Sequence, residues 1–314
     1  MKHAILGALF SAALAVPALA ADYTIMAPAG PGGGWDSTAR TMQAVLQAEG
    51  ISKSVQVTNV PGAGGTVGLA QFVGSAKGDP SQLIVGGYVM VGAILTNKSP
   101  VSLADVTPIA RLTGEAVAIV VPAASPIQDI KGLVEAMKAD PGAVSWAGGS
   151  AGGVDHITVG LLAKSAGIDP TKINYVAFSG GGEALAAILG NQVTAGISGL
   201  GEFLPQVQAG TMRLLAVSSG ERLAGVDAPT LAEAGFDVVV QNWRMVAAAP
   251  GLSADQKAAV LADVEKLAKS AGWQKALADK GWADTYLAGA DFEAQLAKEI
   301  AATTAILKDV GLVQ

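Results

Sequence analysis

The chain has no cysteine, which removes disulfides, zinc fingers, Fe–S clusters and thiol nucleophiles together. Histidine is almost as scarce, with His3 and His156 the two present. Charged residues make up 15% of the 314 positions, against a usual ~25%, and the formal net charge is −6. That sign argues against a nucleic-acid-binding surface and leaves no nucleic-acid partner. Beyond the first 20 or so residues no apolar run reaches the length of about 20 that spans a bilayer. What is abundant is glycine: 40 residues, about 13% against a usual ~7%. It has neither the period of collagen nor a proline-rich setting. With 51% hydrophobic residues the chain can bury a large core, as one large or two medium domains.

The opening is read as an export signal. Met1-Lys2-His3 is basic, Ala4–Val16 is uncharged and apolar, and Pro17-Ala18-Leu19-Ala20 offers the small residues a signal peptidase recognises. Residues 1–21 are therefore expected to be a signal peptide cut after Ala20 or Ala21, with no lipid anchor for want of a cysteine. Cleavage would leave 19 Lys+Arg against 26 Asp+Glu, a charge of −7, and His156 as the one histidine. Such a chain cannot assemble a multi-histidine metal site, and no metal or cofactor is expected.

The remainder alternates short apolar strands with helical stretches, which predicts an α/β fold built of βαβ units with parallel strands. Strands are expected at 23–27, 55–60, 83–86, 118–122, 143–147, 173–177, 193–197 and 213–217. Helices are expected at about 35–49, 65–75, 128–138, 154–166, 183–189, 253–269, 273–280 and 291–307. Thr230-Leu231-Ala232-Glu233 and Ser253-Ala254-Asp255-Gln256 fit capping boxes. Two series of βαβ units imply two lobes, with crossings near 118–123 and 218–240. Lobe 1 is expected to comprise 22–120 plus about 220–314, and lobe 2 about 121–219.

The glycine is concentrated. Eighteen of the 40 fall in five clusters, at 30–34, 62–68, 148–153, 180–182 and 196–201. The first four lie between a predicted strand and the next helix, the edge at which open α/β sheets bind ligands. Helix N-termini there offer unpaired N–H groups and about half a positive charge, and glycine lets an anion approach them. The spacing does not match a dinucleotide fingerprint, because the sixth positions are Trp35 and Val67, and no Walker A ending occurs. Gly148-Gly149-Ser150-Ala151-Gly152 matches the nucleophile elbow G-x-S-x-G. His156, six residues on, would ride the helix just begun and point away from Ser150, so a hydrolytic relay is a remote alternative.

Asp36, Glu115, Asp155, Glu183 and Glu202 lie beside the glycine clusters or the crossings. Each either complements a helix N-terminus or accepts a hydrogen bond from a ligand. Arg244, in Asn242-Trp243-Arg244, suits a ligand carboxylate or an interlobe ion pair. Trp35 and Trp243 are read as apolar walls or core.

At these residues the sequence resembles the periplasmic substrate-binding proteins of tripartite tricarboxylate transporters, the TctC-like or Bug family. The matching stretches are 28–36 (PAGPGGGWD), 59–66 (NVPGAGGT), 148–156 (GGSAGGVDH) and 178–183 (FSGGGE). The runs 198–202 (SGLGE), 229–235 (PTLAEAG) and 242–244 (NWR) continue the match in family order. The resemblance implies a two-lobed Venus-flytrap fold of type II-like form with the ligand in a central cleft. It implies a periplasmic, monomeric, non-enzymatic protein that captures a small carboxylate, most of all a tricarboxylate such as citrate. Its partners would be that ligand and the membrane permease subunits of a tripartite tricarboxylate transporter. A sensory protein signalling to a membrane receptor has the same fold and is the alternative output. The implied ligand-binding residues are Gly33, Gly34, Trp35 and Asp36 in the first loop and Gly64, Gly65 and Thr66 in the second. The second lobe would add Ser150, Ala151, Gly152, Gly153, Asp155, His156, Ser179, Gly180 and Gly181, with Arg244 beside them.

Overall fold

The computed structural model describes residues 21–179 and 181–313. The signal-peptide reading of 1–21 therefore lies outside the described residues except for Ala21, and the binding role read for Gly180 lies outside them as well.

Strands β1 (Ala21–Ala27), β2 (Ser52–Asn59) and β3 (Gln82–Gly87) alternate with helices α1 (Gly34–Ala48), α2 (Thr66–Ser75) and α3 (Tyr88–Thr96). β1 pairs in parallel with β2 on one side and β3 on the other, as the βαβ rhythm predicts. Leu83, Ile84 and Val85 are buried, which is why β3 reads as an unbroken apolar run.

The strand β4 (Thr107–Pro122) joins the two halves of the molecule. Every residue from Leu112 to Pro122 is buried. Positions 107–116 pair antiparallel with β9 (Gln241–Ala248), and 110–114 with β10 (Ala283–Ala288). From Val117 onward the same strand pairs antiparallel with β7 (Ala195–Gly199) and β8 (Met212–Val217). The second lobe is completed by β5 (Ser145–Gly148), parallel to both β7 and β6 (Asn174–Ala177). Its helices are α4 (Ile130–Ala139), α5 (Val154–Ser165), α6 (Gly181–Leu189) and α7 (Leu200–Gln208). The chain then returns through α8 (Ala254–Lys269), α9 (Ala271–Lys280) and α10 (Gly289–Asp309), where α10 packs on α3 and α9 on α1.

At the crossing, Ser218 pins three segments: its Oγ accepts the Val117 N–H at 2.9 Å and donates to the Val240 carbonyl at 2.6 Å. The backbone adds Ser218 N–H to Val117 O and Val240 N–H to Ser218 O, each at 2.9 Å.

Several sequence expectations are corrected here. The sheet is mixed, because β4 and β9 run antiparallel to their neighbours. β4 is far longer than 118–122, and β9, β10 and α7 carry no helix- or strand-period signal strong enough to have been expected. α7 opens on glycine-flanked residues and contains Pro205, which removes one helix N–H. The Thr230 capping box forms, with Glu233 N–H on Thr230 Oγ1 and Thr230 N–H on Glu233 Oε2, both at 3.0 Å. It closes only a turn, because Gly235 at φ +98° leads the chain back to an extended path.

Candidate functional site

Two connected spaces open between the lobes. An inner chamber of about 70 Å3 is bordered by Gly33, Gly34, Trp35, Gly64, Gly65, Ser150, Asp155, Ser179, Gly181, Ser198, Glu202, Asn242 and Arg244, among others. It meets an outer trough of about 800 Å3 at Gly33, Gly34, Gly181, Glu202 and Arg244. At about 70 Å3 against about 800 Å3, the chamber is the small inner end of the cleft.

Helix ends point at this chamber. α1, α2 and α5 begin at Gly33, Gly65 and Gly153, and none of the three has a side-chain cap. Side-chain caps are present at α4, α8 and α9, from Asp129, Ser253 and Ser270, and none of those helices borders the chamber. α3, α7 and α10 also lack a side-chain cap, and α10 lies away from the chamber, so open N–H groups are enriched at the chamber without being confined to it. Glycine is required by the geometry at Gly64 and Gly65, whose φ values of 62° and 88° are left-handed.

The loops are held by residues turned away from the chamber. Asp36 Oδ2 accepts the Gly32 N–H at 2.9 Å, Arg40 Nε lies 3.0 Å from both Asp36 oxygens, and Asn59 Nδ2 donates to Oδ1 at 2.9 Å. Burial opposes ionisation of Asp36, yet Arg40, Gly32 and Asn59 together hold its carboxyl below the ordinary value. Thr66 Oγ1 donates to Ala63 O at 2.9 Å. Ala151 O accepts from Thr96 Oγ1 at 3.3 Å, tying the third loop to α3. His156 Nδ1 accepts the Gly152 N–H at 3.2 Å, and the ring stacks on Tyr175 at 4.1 Å. Burial pushes the His156 pKa down to about 4, so it is a neutral imidazole.

Among the residues expected to touch ligand are Asp36, Thr66, Ala151, Gly152, Gly153 and His156. None of them borders the chamber, and Asp36, Thr66 and His156 have their polar groups engaged by the loops they hold. The same bond counts against the hydrolytic alternative: with Nδ1 accepting from Gly152, the neutral ring carries its proton on Nε2 and has no lone pair left to take one from Ser150. Trp35 borders the chamber, whereas Trp243 stacks inward on Tyr88 at 6.2 Å.

Ser150, Ser179, Asp155 and Arg244 border the chamber. Antiparallel pairing of β4 and β9 sets Glu115 opposite Asn242 and Thr113 opposite Arg244. Arg244 Nη2 donates to Glu115 Oε1, and both side chains are only 2% exposed. The guanidinium lies 5.0 Å from the Trp282 ring, and Nη1 is buried with no partner. Asp155 Oδ2 accepts the Gly149 N–H at 2.8 Å, while Oδ1 is buried and unpartnered. Glu202 Oε2 accepts from Ser198 Oγ at 3.3 Å. Burial, with the Glu115 charge adding, pushes Asp155 up to about 7 and Glu202 up to about 8, against the pull of Arg244.

Ser198 and Asn242 border the chamber although sequence reasoning did not count them as ligand residues, and so does Glu202, which the sequence left open between a helix-end and a ligand role. The signal was present in the runs SGLGE and NWR. Among the described residues no group of three or more His, Asp or Glu side chains is placed to hold a metal ion. No helix among them is long and apolar enough to cross a membrane.

Two α/β lobes sharing a strand, with a chamber between them walled by uncapped helix N-termini, define a periplasmic solute-binding protein. The superposition with the solved periplasmic binding protein BugD has a TM-score of 0.84 at 20% identity, covering 93% of this chain and 98% of that one. The chain belongs to the tripartite tricarboxylate transporter receptor family, TctC, which residues 38–312 match. A UPF0065 protein of Bordetella bronchiseptica is 33% identical over 253 residues, 77% of this chain and 73% of the relative. MatC from Rhodopseudomonas palustris, solved with bound malate, superposes with a TM-score of 0.77 at 24% identity, covering 94% and 99% of the two chains. The family and the solved neighbours BugD and MatC are binding proteins and not enzymes.

Proposed function

We propose that this protein captures a small carboxylate in the periplasm, with a tricarboxylate such as citrate the leading candidate, and delivers it to the membrane permease of a tripartite tricarboxylate transporter. The observation that carries the reading is that N-cap or first-turn residues of three uncapped helices line one chamber together with Arg244, whose Nη1 has no partner. A carboxylate there accepts backbone N–H bonds and a charge-assisted bond from arginine, which are strong in a water-poor site. The ligand residues in this reading are Gly33, Gly34, Trp35, Gly64, Gly65, Ser150, Asp155, Ser179, Gly181 and Arg244, with Asp36, Thr66 and His156 as loop supports. The malate bound to MatC supports the ligand class.

The lobes are taken as 22–116 plus 241–313 and 117–217, with the Val117, Ser218 and Val240 crossing as hinge. The chamber takes one carboxylate group, and the rest of a larger ligand extends into the outer trough. Binding to one lobe completes contacts with the other and shifts the population towards the closed form, which a permease then recognises as a monomer. A signal peptide at residues 1–21 would deliver the chain to that compartment.

A thermal-shift screen with citrate, isocitrate, tricarballylate, dicarboxylates and amino acids tests the reading. Stabilisation should grow with the logarithm of ligand concentration over Kd for at least one carboxylate. No shift with any carboxylate would refute it. Loss of uptake on deletion of the cognate permease would separate transport from sensing.

A further inference from the structure

The chamber contains more negative charge than a site for anions should tolerate. Asp155 and Glu202 face it from α5 and α7, Glu115 of β4 lines the adjoining trough, and Arg244 from β9 is the one Lys, Arg or His among the chamber's lining residues. Arg244 is already paired with Glu115. Lys280 lies at the end of α9 in the outer trough, beside Asp279, where its Nζ is 3.2 Å from Ser37 Oγ and 5.2 Å from the Trp282 ring. Tyr175 of β6, a further titratable group interacting with Asp155, donates its hydroxyl to the Gly149 carbonyl at 2.8 Å and is held uncharged by burial, so Asp155 and Glu202 have no cation of their own.

Both residues line the cavity, and each keeps one carboxyl oxygen without a hydrogen-bond partner. Asp155 Oδ2 is fixed by the Gly149 N–H, so Oδ1 is left buried without a partner. Glu202 Oε2 has only the Ser198 hydroxyl at 3.3 Å. The absence of a side chain at Gly181 makes room for this carboxyl, since a β-carbon there would overlap it and lie 2.7 Å from Ser198 Oγ. Two unpaired carboxylates cannot both stay ionised beside a bound anion in so small a space.

Resting on the carboxylate reading above, we propose that the protein takes up its ligand together with a proton, Asp155 Oδ1 and the Glu202 carboxyl acting in their acid forms as O–H donors to the ligand. The oxygens that would repel an ionised ligand then hydrogen-bond it, and they select for acceptor-bearing groups at that end of the chamber. Burial already pushes Asp155 up to about 7 and Glu202 up to about 8 in the free protein. A bound anion raises both further. Affinity for a fully ionised carboxylate is thus level below about pH 7 and falls above about pH 8, by about tenfold per pH unit for each proton taken up.

The test is calorimetry with succinate and tricarballylate, which bring no ammonium or hydroxyl donor, with aspartate as the ammonium-bearing comparison. Titrations at about pH 8 in two buffers of different ionisation enthalpy count the protons taken up per ligand. The expected result is uptake approaching one proton or more, with Glu202→Gln lowering the count and flattening the pH dependence. Binding of succinate or tricarballylate without proton uptake and with level affinity to about pH 9 would overturn the inference and leave carboxylate capture intact. So would binding of aspartate alone without proton uptake, because the ligand's own cation would then answer the acidic groups. No binding of any of them at any pH would instead refute carboxylate capture itself. If Glu202→Gln fails to fold, the proton count on the unaltered protein still decides.

Discussion

Gly34, the first residue of α1, lies against the guanidinium of Arg244 so closely that a β-carbon would overlap it. Arg244 cannot swing aside cheaply, because it is buried, paired with Glu115 and laid over Trp282. Gly34→Val should therefore drive the arginine out of the chamber. The expected loss of carboxylate affinity is at least about a hundredfold, or about 2.7 kcal/mol, with the far-ultraviolet circular dichroism unchanged. Calorimetry on the folded variant checks it, and wild-type affinity would contradict the assignment of Arg244 to the ligand.

The Arg244–Glu115 pair makes a separable prediction about stability. Removing one partner of a buried ion pair strands the other charge, at a cost of about 3–5 kcal/mol. Arg244→Met should show that loss in urea denaturation. Adding Glu115→Gln should recover a large part of it, because the stranded carboxylate is then neutral. A double variant as unstable as the single one would show that the two side chains are not energetically coupled.

Stability of the ligand-free protein should fall as pH rises from about 6.5 to about 8. Asp155 and Glu202 have folded-state values pushed up to about 7 and about 8, so their contribution is full below the unfolded carboxyl range and is lost as pH rises through those values. His156 works in the opposite direction, because its value is pushed down to about 4 and its contribution is lost as pH falls from about 6.5 towards 4. Above about 6.5 only the carboxyls act, and thermal midpoints in Glu202→Gln should decline less over that interval than in the parent protein.

Closure has its own contact. Gly92 on α3 faces the carbonyl of Gly152 across the cleft with no room for a β-carbon, and a β-carbon on Gly64 would overlap Ala93 and come 3.2 Å from that of Ser150. Gly92→Val should hold the lobes apart without unfolding either. Small-angle scattering should show a ligand-induced contraction in the parent protein and a diminished one in the variant, with affinity reduced by roughly tenfold or more.

Much of this was legible in the sequence because glycine punctuates it. The loops at 30–34, 62–65 and 148–153 were identified by composition alone, and each opens a helix that lacks a side-chain cap. Ser253 and Gln256 likewise form the capping box their spacing predicts, at 3.2 and 2.8 Å. Antiparallel insertion was not legible, because β9 and β10 pair with β4 across more than a hundred residues and their local patterns do not reveal a partner. Nor could the sequence separate Asp36 from Asp155. Both follow a glycine loop, yet Asp36 is saturated by Gly32, Arg40 and Asn59, while Asp155 keeps an oxygen free at the chamber. Glu202 stayed undecided between a helix-end and a ligand role because α7 was not expected, and the sequence offers no other element to place its carboxyl at the chamber.

The central claim, that helix N-termini and Arg244 hold a carboxylate, is tested most directly by comparing an acid with its amide. Calorimetry with tricarballylate and succinate against their amides keeps shape nearly constant and removes the charge. The account predicts one-to-one binding of at least one acid and a loss of at least about a hundredfold for its amide, since charge-assisted bonds are about twice as strong as neutral ones. Equal affinity for acid and amide, or no heat with either acid, would contradict it.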